Sequence, residues 1–175
     1  MRKKLHRNSG FTLIELMIVI GMIGILTAIS VPAVMKWLPN YRLKAAARDL
    51  YSNMQKAKME AVKRNTNVFI VFRARDYAPA GRVGSYQVFV DVDGSFEPVS
   101  AQINMPVNVS LYKNNFPSNT AGYNSRGLPC TTLPCPALGN GSVYFQNNQS
   151  RYYRVALSTA GNVKITKSID GATWN

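Results

Sequence analysis

The order of apolar and polar positions divides the chain into three stretches with different periods. From Phe11 to Val31 the residues are almost continuously apolar, and Glu15 is the only charged side chain in the run. About 20 such residues are enough to cross a hydrocarbon layer as a helix. From Tyr41 to Arg64 the period becomes that of an amphipathic helix. Leu43, Ala47, Leu50, Met54, Ala57 and Ala61 recur at steps of four and three and form one narrow stripe. Arg42, Lys44, Arg48, Lys56 and Lys63 fall on the opposite side, with Lys58 and Arg64 at the edges. After "KRNTN" the period drops to two. "VFIVFRAR" and "SYQVFVDVDG" read as strands, and Asp93-Gly94 turns the second into a following strand. "SVYFQ", "YYRVALS" and "NVKITKS" read as three more, with Ala160-Gly161-Asn162 turning between the last two. Residues 113–141, rich in Asn, Gly, Pro and Ser, read as a long loop.

Four residues interrupt the first two stretches. Gly21 and Gly24 loosen the apolar helix, and Pro32 removes a backbone donor and predicts a kink. Pro39, in "KWLPNYR", predicts a second kink, or a break with Asn40 starting a new helix. Trp37 lies where an aromatic residue at a membrane interface is expected. The order of elements predicts an α+β fold, a long N-terminal helix packed on an antiparallel sheet. Residues 66–175 suffice for one domain of ordinary size and not for two.

Charge sharpens this division. The formal net charge is +13, but Arg2, Lys3, Lys4 and Arg7 precede the apolar run, and without them it is +9. Ala33–Asn65 carries +6 of that and Thr66–Asn175 carries +4, with Glu15 supplying the remaining −1. The basic excess on the second helix is either a solvated face or a surface for an acidic partner such as nucleic acid or phospholipid headgroups. Cys130 and Cys135 are the only cysteines, and His6 is the only histidine, so no zinc site can be assembled. A local disulfide is the better reading, which places the C-terminal part in an oxidising compartment. The four basic residues before the apolar run agree, since they hold the N-terminus in the cytoplasm.

An acid in an apolar span is costly and marks a functional site by default. A secretory signal has a shorter apolar stretch, and neither a signal nor a plain anchor gives Glu15 a purpose. A third reading does. "SGFTLIELMIVIGMIGILTAISVPA" resembles the N-terminus of type IV pilins and pseudopilins. The resemblance implies a leader of residues 1–10 removed by a prepilin peptidase after Gly10, and N-methylation of the new terminus, Phe11. It also implies that residues 11–32 span the inner membrane and later pack in the core of a filament. Residues 33–65 are then the basic amphipathic helix, and 66–175 a periplasmic β domain. Cleavage creates a cationic amine on Phe11, with an ordinary pKa of about 8. Glu15, on the same helix or facing a neighbouring subunit, would neutralise it; this gives the acid an assembly role.

The second half is similar to minor pilins and pseudopilins of the GspH/FimT type through "YQVFVDVDGSFEPV", "YNSRGLP" and "YYRVALSTAGNVKI". Catalysis is poorly supported, because no histidine follows the leader and no phosphate loop or nucleophile set is present. "DVDG" lacks the spaced ligands of a calcium loop and reads as a hairpin turn. No metal or cofactor is implied. The expected partners are the prepilin peptidase, other pilin or pseudopilin subunits and the inner membrane. Three functions are expected: a type IV minor pilin, a type II secretion pseudopilin, and a DNA-capturing minor pilin. DNA-binding members resemble one another in a GRxR element, where this chain has Gly161-Asn162-Val163-Lys164. Arg151, Arg154, Lys164 and Lys167, with Tyr152 and Tyr153 among them, either build a basic patch or are simply solvent-facing strand residues.

Overall fold

The computed structural model describes residues 11–78, 82–131, 135 and 139–175. It divides into two compact units, with the boundary between Leu38 and Pro39. A single helix, α1, runs from Leu13 to Arg64. The helix includes Pro32 and Pro39, so the expected alternative of a break with a new helix at Asn40 is overturned. Each proline removes one donor and crowds one carbonyl, which a long helix tolerates when its flanking turns are held. Asn40 is also committed elsewhere. Its Oδ1 accepts from Asn147 Nδ2 at 2.8 Å, and its Nδ2 donates to Gln149 Oε1 at 2.8 Å, so it caps no helix.

The helix closes where the pattern changes period. Asn65 adopts φ 51°, Thr66 N–H donates to the Ala61 carbonyl at 3.1 Å, and Asn65 N–H donates to that of Val62 at 3.3 Å. This paired arrangement satisfies carbonyls the last turn would leave bare. All six residues of the sequence stripe, Leu43 to Ala61, are buried.

The stripe packs on two antiparallel sheets. The strands are β1 (Val68–Arg73), β2 (Ser85–Val92), β3 (Ser95–Pro98), β4 (Ile103–Asn104), β5 (Val109–Asn114), β6 (Thr120–Tyr123), β7 (Pro129–Cys130), β8 (Gly141–Asn147), β9 (Tyr152–Leu157) and β10 (Val163–Ser168). The first sheet has the order β3-β2-β1-β6-β7, with β4 also on β2; the second is β10-β9-β8-β5. Alternation decides which side chains turn inward: Val68, Ile70 and Phe72 from β1, Val143 and Phe145 from β8, and Val155 and Leu157 from β9 enter the core. Phe72 stacks on Phe116 with ring centroids 5.4 Å apart. A second polar tie joins helix and sheet: besides the Asn40–Asn147 bond, Asn53 Nδ2 donates to Tyr86 Oη at 2.8 Å. Burial pushes the Tyr86 phenol up to about 12, so this contact is insensitive to pH in the neutral range.

The Asp93-Gly94 turn forms as expected, with φ 51° and 86° and the Gly94 N–H donating to Asp91 Oδ1 at 3.0 Å. The long loop expected over 113–141 is corrected: β5 extends into it, and it contains a 3₁₀ turn at Pro117–Asn119, β6 and β7. β6 pairs with β1 and is buried along its whole length, so it shows no apolar–polar alternation. Gly122 lies where an added Cβ would fall 2.5 Å from the Phe69 ring, so the strand carries a residue that reads as a loop former. On the outer margin of the second sheet, the Lys167 backbone exchanges two hydrogen bonds with Asn175, at 2.9 and 3.0 Å. Asp170 shapes this return by accepting from Ser168 Oγ and from the backbone and hydroxyl of Thr173. Those bonds hold its carboxyl well below the usual carboxylate range.

Candidate functional site

Gly10 and the basic residues before it lie outside the described residues, so the expected cleavage position is seen only from its Phe11 side. Phe11 is 81% exposed. Thr12 starts the helix: its carbonyl accepts the Leu16 N–H at 3.2 Å, and its Oγ1 accepts the Glu15 N–H at 3.2 Å. Thr12 is thus the N-cap, and Glu15 stands at the third helical position, where the helix dipole favours an acid. The sequence reading assigned Glu15 to assembly alone and missed this local role. The signal was present as the Thr-x-x-Glu spacing of Thr12 and Glu15.

Every residue from Phe11 to Trp37 is exposed. By length and composition this stretch is apolar enough to cross a membrane, and none of it is buried. At 1.5 Å per residue, residues 13–35 extend roughly 35 Å, enough for a hydrocarbon core of about 30 Å. Its polar side chains bond locally: Thr27 Oγ1 donates to the Gly24 carbonyl at 2.9 Å, and Ser30 Oγ donates to that of Leu26 at 2.8 Å. Glu15 is the charged side chain that this surface leaves exposed among residues 11–35.

The folded unit separates the four candidate nucleic-acid contacts. Arg151 and Lys167 line one cavity of about 610 Å³ with Tyr152, Tyr153 and Asp170. Lys164 is exposed opposite Ala156. Lys164 and Lys167 are three residues apart on one strand, so they point to opposite faces. Arg154 shares the face of Lys164 but is engaged, stacking 5.0 Å over Trp174 and donating through Nε to Thr166 Oγ1 at 3.1 Å. Trp174 also packs on Tyr144, and Tyr112 on Tyr144 and Tyr152, with Lys113 5.7 Å above Tyr144. Sequence reasoning missed Tyr112 and Trp174, which only strand pairing and the chain return bring here. Burial raises the Tyr112 phenol.

Cys130 and Cys135 form a disulfide with Cα atoms 5.5 Å apart. It adjoins the turn of "YNSRGLP", where Asn124 Oδ1 accepts the N–H groups of Arg126 and Leu128, both at 3.0 Å. Gly127 has φ 72°, and a Cβ there would press within 3.1 Å of Val62 on the helix. Among the described residues, no three His, Cys, Asp or Glu side chains gather into a metal-ligating group.

Comparisons with known proteins agree with this geometry. The prokaryotic N-terminal methylation motif matches residues 5–31. Prepilin peptidase-dependent protein D of Escherichia coli is 52% identical over 46 residues, 26% of this chain and 29% of that one. Pilin-like protein PilA1 of Thermus thermophilus is 34% identical over 83 residues, 47% of each chain. The chain thus spans less than half the length of both relatives. Among solved structures, the type IV minor pilin FimU of Pseudomonas aeruginosa superposes with a TM-score of 0.54 at 16% identity, over 78% of this chain and 94% of that one. The minor pseudopilin EpsH of Vibrio cholerae gives 0.50 at 12% identity, over 71% and 95%. The family model described as type II transport protein GspH matches residues 46–161, covering the lower helix and nearly every strand, and the chain therefore belongs to the GspH family of pilin-like proteins.

Proposed function

We propose that the chain is a structural minor pilin of a type IV pilus, assisting filament initiation, adhesion or twitching motility. It is the substrate of a prepilin peptidase and is not itself an enzyme. It waits in the inner membrane with its N-terminus in the cytoplasm and its folded unit in the periplasm, then joins other subunits through its N-terminal helix. One observation carries this reading: an uncovered apolar helical surface that begins at Phe11 and bears one acid, Glu15, a turn from its start. Such a surface is stable only in lipid or against other helices. Intact mass measurement of membrane-extracted protein is expected to give a chain beginning at Phe11 with one added methyl group. A chain that still carries Gly10, or one trimmed beyond Val31, would overturn the reading.

A second reading is favoured by the GspH match itself: a pseudopilin acting in protein export. Deleting the gene separates the two, since loss of surface filaments and motility supports the first, and loss of exoprotein secretion the second. The DNA-capturing alternative has weaker support, because Arg154 is engaged with Trp174 and Lys164 faces away from Lys167. Duplex DNA is expected to bind the full chain in detergent weakly, and to dissociate as salt rises from about 50 to 200 mM. Tight binding that is lost in Lys164→Ala/Lys167→Ala would reverse this ranking.

A further inference from the structure

We propose that the cleft where the end of β1 and the start of β2 meet β4 is a binding site for a phosphate group. Arg73, Arg75 and Arg82 line this cleft of about 230 Å³ together with Gly84, Ser85, Gln102 and Asn104. Among the described residues, no carboxylate comes within ion-pair distance of any of the three guanidinium groups. Three like charges around one small concavity repel one another, and the counter-charge must come from outside the chain.

Hydrogen bonding within the lining makes the cleft rich in donors. Arg73 Nη1 donates to Gln102 Oε1 at 2.9 Å, and Gln102 Nε2 donates to Asn104 Oδ1 at 2.9 Å. Both side-chain carbonyls are thereby occupied. What remains to face a ligand is guanidinium N–H, the Asn104 amide N–H and the Ser85 hydroxyl.

The backbone beneath is fixed before any ligand arrives. Arg73 pairs with Ser85, and Ser85 in turn pairs with Asn104. Arg75 N–H donates to the Leu111 carbonyl at 3.3 Å, and Leu111 N–H donates to that of Val83 at 2.8 Å. Gly84 sits at φ 85°, where a Cβ would lie 2.6 Å from the Leu111 carbonyl oxygen, so this closeness requires glycine.

The size and charge select the ligand. Drug-sized pockets begin at about 300 Å³, so this cleft takes one compact group. Three arginine forks match the oxygens of a tetrahedral dianion better than one planar carboxylate. A phosphate group can arrive free or esterified to a lipid or sugar headgroup.

Calorimetric titration of the full chain in maltoside micelles, at about physiological salt, tests the assignment with inorganic phosphate and with glycerol 3-phosphate. Saturable binding at one site is expected. Tighter binding of the ester indicates a headgroup source, and tighter binding of inorganic phosphate the free ion. Arg75→Ala/Arg82→Ala is expected to weaken binding roughly a hundredfold, while Arg126→Ala leaves it unchanged. Arg75→Lys/Arg82→Lys keeps the charge but loses the forks, and is expected to weaken it about tenfold. No saturable heat with either ligand, undiminished binding in the alanine pair, or full affinity in the lysine pair would overturn the site.

Discussion

Glu15→Ala is expected to remove the chain from filaments while leaving its amount in the membrane unchanged. On the proposed processing, cutting after Gly10 exposes an ammonium at Phe11, four residues from Glu15 in a stretch, residues 11–35, without other charges. In apolar surroundings an unpartnered charge of this kind costs about 3–5 kcal/mol. Incorporation should therefore fall by a factor of roughly a hundred or more. The ratio of chain in sheared filaments to chain in membranes, read by immunoblot, measures it. Thr12→Ala is the informative companion, because it removes the helix cap and keeps the acid. That cap is worth about 1 kcal/mol, so filament content should drop only severalfold. Equal losses in the two variants would reduce Glu15 to a residue that merely begins a helix.

The folded unit depends most on the buried stripe of α1. Leu50, like Leu43 and Ala47, is fully buried at 0% exposure. Leu50→Ala leaves a cavity that neither sheet can readily fill and is expected to cost about 3 kcal/mol. The melting temperature of the full chain in detergent should fall by roughly 10 °C. Met59 lies on the same helix but is 63% exposed, so Met59→Ala should melt within a degree or two of the parent chain. A Leu50→Ala chain that melts with the parent would mean that the helix is not seated on the sheets as described.

How far the sequence could be read follows from how local each signal is. The stripe from Leu43 to Ala61, the Asp93-Gly94 hairpin and the three strands before the C-terminus announce themselves through spacing alone. β6 does not: its four residues are buried on both faces, and Gly122 is there because Phe69 lies across it. Asn40 misled because an asparagine after a proline looks like a cap, while its true partners, Asn147 and Gln149, lie more than a hundred residues away in sequence. In the candidate site, Phe11 and Glu15 were legible from a short motif, and Thr12 was overlooked beside them. The arginine cleft was not legible, since β4, only two residues long, must bring Gln102 and Asn104 to Arg73.

The return of the chain along β10 has its own consequence. An open strand margin is a template on which foreign strands stack into amyloid-like ribbons. Here Lys167 already spends its backbone bonds on Asn175, in a turn held by Asp170. A second copy is thus denied one edge on which to stack irreversibly at that margin.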